Sequence, residues 1–167
     1  EKKDGTSYLL YRTNTDFHLL NNLTFYLKSH NIIKSPGQCL IKRQCIPVEW
    51  QRYIMKTNGA DDLFLWILLL EKSYKFAINK EALYIHKYTG ENLSESEEKM
   101  TISSLEIVDC LKKVDYVSKK DVYELKRTRE FSLKLRKEKG LKRVLIMVRN
   151  FDLIMYLGVN KIKRKLF

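Results

Sequence analysis

Eight consecutive apolar residues, Leu63 to Leu70, follow directly on two adjacent carboxylates, Asp61 and Asp62, which in turn follow the pair Asn58-Gly59. An apolar run without interruption has no face to show to water, so the rest of the chain must wrap it. Asn-Gly favours a tight turn, and Asp at a helix start accepts hydrogen bonds from amides that lack helical partners. The stretch predicts a short buried helix whose acidic mouth faces a cleft. Asp61 alone reads as an N-cap. Two like charges side by side exceed what a cap requires and raise one another's pKa, which suits a general base or a metal site.

Around this stretch the 167 residues are 44% hydrophobic, enough for one domain with a real core and too apolar for a disordered tail. The formal charge of +12 is unevenly placed: residues 121–167 hold 14 Lys and Arg against five Asp and Glu. An anionic partner would be met largely through the C-terminus. Cys39, Cys45 and Cys110 are odd in number with no Cys-x-x-Cys spacing, and His18, His30 and His86 are scattered. Neither a disulfide framework nor a structural zinc site is indicated, and a reducing cytoplasm fits. No basic-then-apolar leader is evident, and the longest mostly apolar window, 144–157, falls short of the roughly 20 residues of a spanning helix. A start at Glu1 without Met reads as a trimmed product or a fragment.

Taken in order, apolar positions at Leu19, Leu20, Leu23, Tyr26 and Leu27 predict one helix from about Asn14 to Ser29, after a Ser7–Tyr11 segment that is either a strand or a connector. Ser35-Pro36-Gly37 breaks the chain and Gln38 to Arg43 alternates as a strand. A helix from Pro47 to about Lys56 places Trp50, Tyr53 and Ile54 on one face. Tyr74 to Ile78 and Ala82 to Tyr88 read as two further strands, the second aligning Tyr84, His86 and Tyr88. Past a polar loop at 89–98, helices are expected from about Ile102 to Val114, from Ser118–Asp121 to near Gly140, and from Leu141 to Leu157 before a basic tail. The expected architecture is α/β: a mixed sheet flanked by helices over residues 1–100, then a helical, basic extension over 101–167.

The segment Asn31 to Ile41, the Asp61-Asp62 pair, Leu83-Tyr84-Ile85-His86 and Thr89-Gly90-Glu91-Asn92 share order and spacing with a known group. Over roughly residues 30 to 95 the chain resembles the acceptor-side half of bacterial family 2 glycosyltransferases, which have the GT-A fold. The resemblance implies inverting transfer from a nucleotide-sugar donor to a saccharide or lipid-linked acceptor, with Asp62 as catalytic base and Asp61 standing where the family usually has Glu. It places the Ser35, Gly37 and Gln38 loop beside the donor sugar and acceptor. Trp50 either stacks on a sugar ring or plugs a seam. His86 is either an ordinary satisfied polar group or, as the resemblance implies, reaches the donor's diphosphate or its divalent metal, Mn or Mg. Family members bind the donor through an Asp-x-Asp motif, which this sequence lacks, as it lacks a Gly-rich phosphate loop. A nucleotide-binding N-terminal half is therefore expected to be missing, and the chain alone to be inactive.

The alternative is a basic module without catalysis, binding nucleic acid through Lys126 to Arg143 or lying on a membrane surface. No nucleic-acid recognition motif or stacking platform accompanies those basic residues, so nucleic acid is not the expected partner. The 141–157 helix pairs an apolar stripe with flanking Lys and Arg, which predicts either attachment to an anionic membrane surface at its inner face or packing on the chain's own domain.

Overall fold

The computed structural model describes residues 5–9, 11, 13–57, 59–87 and 96–166. Eight α-helices follow one another among them: α1 (Asn14–Leu20), α2 (Leu23–Lys28), α3 (Val48–Arg52), α4 (Asp61–Glu71), α5 (Glu97–Leu111), α6 (Lys119–Lys137), α7 (Gly140–Arg149) and α8 (Phe151–Leu166). Single 3-10 turns lie at Pro36–Gln38 and Arg43–Cys45.

Every residue of α4 from Leu63 to Leu70 is buried, as the apolar run demands. It shares one buried core with Phe25 and Leu27 of α2, Ile107 and Leu111 of α5, and Leu125 of α6. Burying each such side chain contributes about 1.5–3 kcal/mol, so this apolar cluster is the principal source of stability. Trp66 is fully enclosed and meets Phe76 edge to face at 5.7 Å, a core residue as its setting implies.

The mixed sheet expected from the alternating segments does not form, and with it falls the expected α/β half of a GT-A-like domain: the fold is helical, with no strand among the described residues. Alternation supplies a face but not a neighbour, and a strand exists only where another chain segment accepts its ladder. Residues 36–45 instead close two 3-10 turns around an irregular link. Residues 74–87 form no strand, and a side chain pins them at Phe76: Asn21 donates Nδ2 to the Phe76 carbonyl at 3.1 Å and accepts the Phe76 amide at 2.7 Å. That amide group does for one residue what a neighbouring strand would do for many. Asn58, Tyr88, the 89–98 loop up to residue 95 and the N-terminal residues 1–4 lie outside the described residues.

Local polar residues account for the other departures. The expected 14–29 helix divides because Asn22 turns extended and its side chain accepts the Phe25 amide at 3.2 Å, starting a new helix. Thr13 and Asp16 form a reciprocal capping box at the start of α1. Ser118 caps α6 as expected, accepting the Asp121 amide at 3.0 Å. The final helix divides too: the chain breaks at Asn150, so α7 and α8 replace one element.

Arg129 of α6 is buried, and its guanidinium reaches back to α2, donating Nη2 to the Tyr26 carbonyl at 3.0 Å and Nη1 to the Ser29 carbonyl. These carbonyls sit at a helix C-terminus, where a cation offsets the partial negative charge. Burial lowers the Arg129 pKa to about 10, which leaves it charged at neutral pH.

Candidate functional site

The N-cap of α4 is Ala60 rather than Asp61, and no side chain caps it; the two carboxylates occupy its first helical positions. Asp62 is half-buried, with Oδ1 accepting the Leu63 amide at 2.6 Å and Oδ2 accepting Nδ2 of Asn31 at 2.8 Å. Asn31 is itself aimed, because its Oδ1 accepts the Ile33 amide at 3.0 Å. Burial, opposed by the Leu63 amide and reinforced by the Asp61 charge, lifts the Asp62 pKa from its ordinary 3.8 to about 6, although Asn31 pulls it down. A carboxylate in that range is ionised at neutral pH yet basic enough to take a proton from a hydroxyl passing through its transition state. Asp61 is exposed beside it, and its backbone carbonyl accepts the Trp50 indole N–H at 3.0 Å. Trp50 thus braces the helix start through its indole N–H.

The Ser35 loop forms a second polar group. Ser35 Oγ accepts the Gly37 amide at 3.2 Å and the Tyr84 hydroxyl at 3.0 Å. A Cβ on Gly37 would stand 3.1 Å from that hydroxyl, so glycine is what allows Tyr84 to lie across the turn. Gln38 donates Nε2 to the Tyr11 hydroxyl at 2.9 Å, and Tyr11 donates onward to the Ile32 carbonyl at 3.0 Å. Burial and the negative charge of Asp62 together raise the Cys39 thiol pKa, which places the end of this loop within electrostatic reach of the carboxylate. His86 is half-buried two residues beyond Tyr84. Among the described residues no three His, Cys, Asp or Glu side chains gather where a metal ion could be held.

Sequence reading missed the supports behind the acidic pair. Ser103 of α5 is fully buried, donating to the Thr57 carbonyl at 2.8 Å and accepting the Ala60 amide at 3.1 Å. Three residues on, Glu106 accepts the Lys56 amide at 2.8 Å and the amide and hydroxyl of Thr57. The pair at i and i+3 on one helix face was visible, but not the loop it would hold. Ser103→Ala leaves a buried amide and a carbonyl without partners and is expected to cost about 1–3 kcal/mol in urea denaturation. The loss should be accompanied by faster amide exchange at residues 57–62.

A separate cleft of about 490 Å³ is lined by Tyr8, Phe25, His30, Leu157, Lys161 and Arg164 among others, but by neither Asp61 nor Asp62. Arg164 is committed there to the buried Asp16, with Nε to Oδ1 at 2.6 Å, tying α8 to α1. Comparison with protein-family models, with curated proteins and with solved structures finds no match to this chain.

Proposed function

We propose that the Asp61-Asp62 helix start is the base-bearing, acceptor side of an inverting glycosyltransferase, with Asp62 removing the proton from an acceptor hydroxyl. The observation that carries this reading is the half-buried Asp62 carboxylate, held by Asn31 and raised to about 6. The hydroxyl oxygen attacks the anomeric carbon of a nucleotide-activated sugar as the bond to the diphosphate breaks, and the proton passes to Asp62. One such displacement inverts the anomeric centre. Asp61 keeps Asp62 basic by like-charge proximity, and the Ser35, Gly37 and Gln38 loop offers hydroxyl and amide groups to saccharide hydroxyls. Trp50 holds the mouth of the helix in place.

The chain contains no Asp-x-Asp, so this reading assigns the donor and its divalent cation to a nucleotide-binding half that these residues do not include. Among the described residues no group of three His, Cys, Asp or Glu side chains could hold a metal ion, and the proton transfer proposed for Asp62 needs none. His86 is assigned to the diphosphate side. His86→Ala is expected to weaken nucleotide-sugar binding about tenfold with turnover at saturation nearly unchanged, measured by calorimetry and initial rates. Unchanged affinity with a lower melting temperature would leave His86 a structural residue.

The reading is tested by a pH–rate profile for sugar transfer by the chain together with its donor-binding half. The rate should rise with pH through an apparent pKa of about 6 and then level off. A profile flat from pH 5 to pH 8 would remove a carboxylate base from the mechanism.

A further inference from the structure

Helices α7 and α8 each turn an apolar stripe away from the domain. In α8 the inward side consists of the fully buried Leu153, the half-buried Tyr156 and Leu157, and Arg164 on Asp16. At 3.6 residues per turn, Phe151, Met155, Val159 and Ile162 fall on the opposite side, and all four are exposed, Phe151 by 62% and Ile162 by 58%. In α7 the residues Leu141, Val144, Leu145 and Val148 share one face at i, i+3, i+4 and i+7, again all exposed, Leu141 by 74% and Val148 by 67%. Amphipathic helices ordinarily put such a stripe on the core; here the core takes a different face and the stripe is left to an outside partner.

Charge decides what that partner is. Exposed Lys161 and Lys165 border the α8 stripe on one side and Lys163 on the other, while Lys142 and Arg149 border the α7 stripe. Between Lys139 and Phe167 the sequence holds a single carboxylate, Asp152, and Arg127 of α6 neutralises it with a two-pronged contact, Nη1 to Oδ2 at 2.8 Å. The same guanidinium donates Nε to Asn150 Oδ1 at 3.3 Å, holding the α7–α8 junction. A second copy of this chain would set one cationic rim against another. An anionic bilayer offers apolar depth under the stripe and negative headgroups to the rim. No helix among the described residues is long and apolar enough to cross a bilayer, so contact is by a face. We infer that the outward face of α7 and α8 is a docking surface for an anionic lipid bilayer, with the apolar stripes in the headgroup layer and the bordering Lys and Arg on lipid phosphates. This stands apart from sugar transfer: a chain that binds vesicles and transfers nothing satisfies one reading and fails the other.

The test is flotation of the 167-residue chain with vesicles of phosphatidylcholine alone or with added phosphatidylglycerol, at low and high salt. Binding is expected only to the anionic vesicles and should weaken as salt screens the rim. Val148→Gln with Met155→Gln should reduce partitioning about tenfold. Lys161→Gln, Lys163→Gln and Lys165→Gln together should reduce it about 100-fold, each Lys near an anionic leaflet being worth about fivefold. All five positions are exposed, so both variants should melt at the wild-type temperature. Equal or absent binding to the two vesicle types overturns the inference, as does anionic binding that neither variant weakens. Concentration-dependent dimerisation in sedimentation velocity, abolished by the Val148/Met155 variant in a chain that ignores vesicles, would assign the face to a second copy instead.

Discussion

Asp62→Asn is expected to lower the rate of sugar transfer by about 10²- to 10⁴-fold while leaving donor affinity little changed, because the amide keeps the size of the carboxylate and cannot accept the proton. The same substitution carries a stability signature measurable without any substrate. Asp62 titrates at about 6 in the folded protein, above its ordinary 3.8, so the folded state holds its proton more tightly than the unfolded chain does. Stability from this group is fully present below pH 4 and is lost as pH rises to about 6, with the penalty constant above. Asn at 62 does not titrate. Its advantage over the wild type should therefore be about 2 kcal/mol larger at pH 8 than at pH 4, after discounting for the water that reaches a half-buried group. Taking this double difference removes the pH-independent cost of disturbing the bonds to Asn31 and Leu63. Urea denaturation at the two pH values measures it, and an unchanged difference together with near-normal turnover would exclude Asp62 as the base.

Arg129→Ala is expected to be the most destabilising single polar substitution described, at about 3–5 kcal/mol. Removing the guanidinium leaves the Tyr26 and Ser29 carbonyls without their α6 donors and opens a cavity where Arg129 was 6% exposed. Hydrogen bonds to charged groups contribute about 1.5–3 kcal/mol each, and buried acceptors left bare add a desolvation cost. For a chain of this size the melting temperature should fall by about 6–20 °C. Arg129→Lys should recover part of the loss, since an ammonium can meet one carbonyl but lacks the planar fork that spans both. Hydrogen exchange should locate the damage in α2, and a loss under about 1 kcal/mol would show that the clamp contributes little.

The apolar run from Leu63 to Leu70 determined by itself that α4 would be the buried centre, because no partner is needed to know that eight such residues leave water. Adjacency likewise determined that two carboxylates would stand at its mouth, and Ser118 with Asp121 announced the start of α6 within one turn of chain. These signals reach no further than four residues. The Asp62 pKa depends on Asn31, 31 positions away, and on how much water the surrounding helices exclude. The loop carrying the site depends on Ser103 and Glu106, whose partners lie 43 to 50 positions back. Strand-like alternation at 38–43, 74–78 and from 82 onward could describe a face but not provide a neighbour, so only the tertiary structure could decide that no ladder forms among the described residues and that Asn21 takes its place at Phe76. The apolar stripe of 141–157 was equally plain in the sequence, yet its period is the same for a helix facing in or out; the direction was decided by Leu153, Arg164 and Arg127, which give α7 and α8 another face to pack.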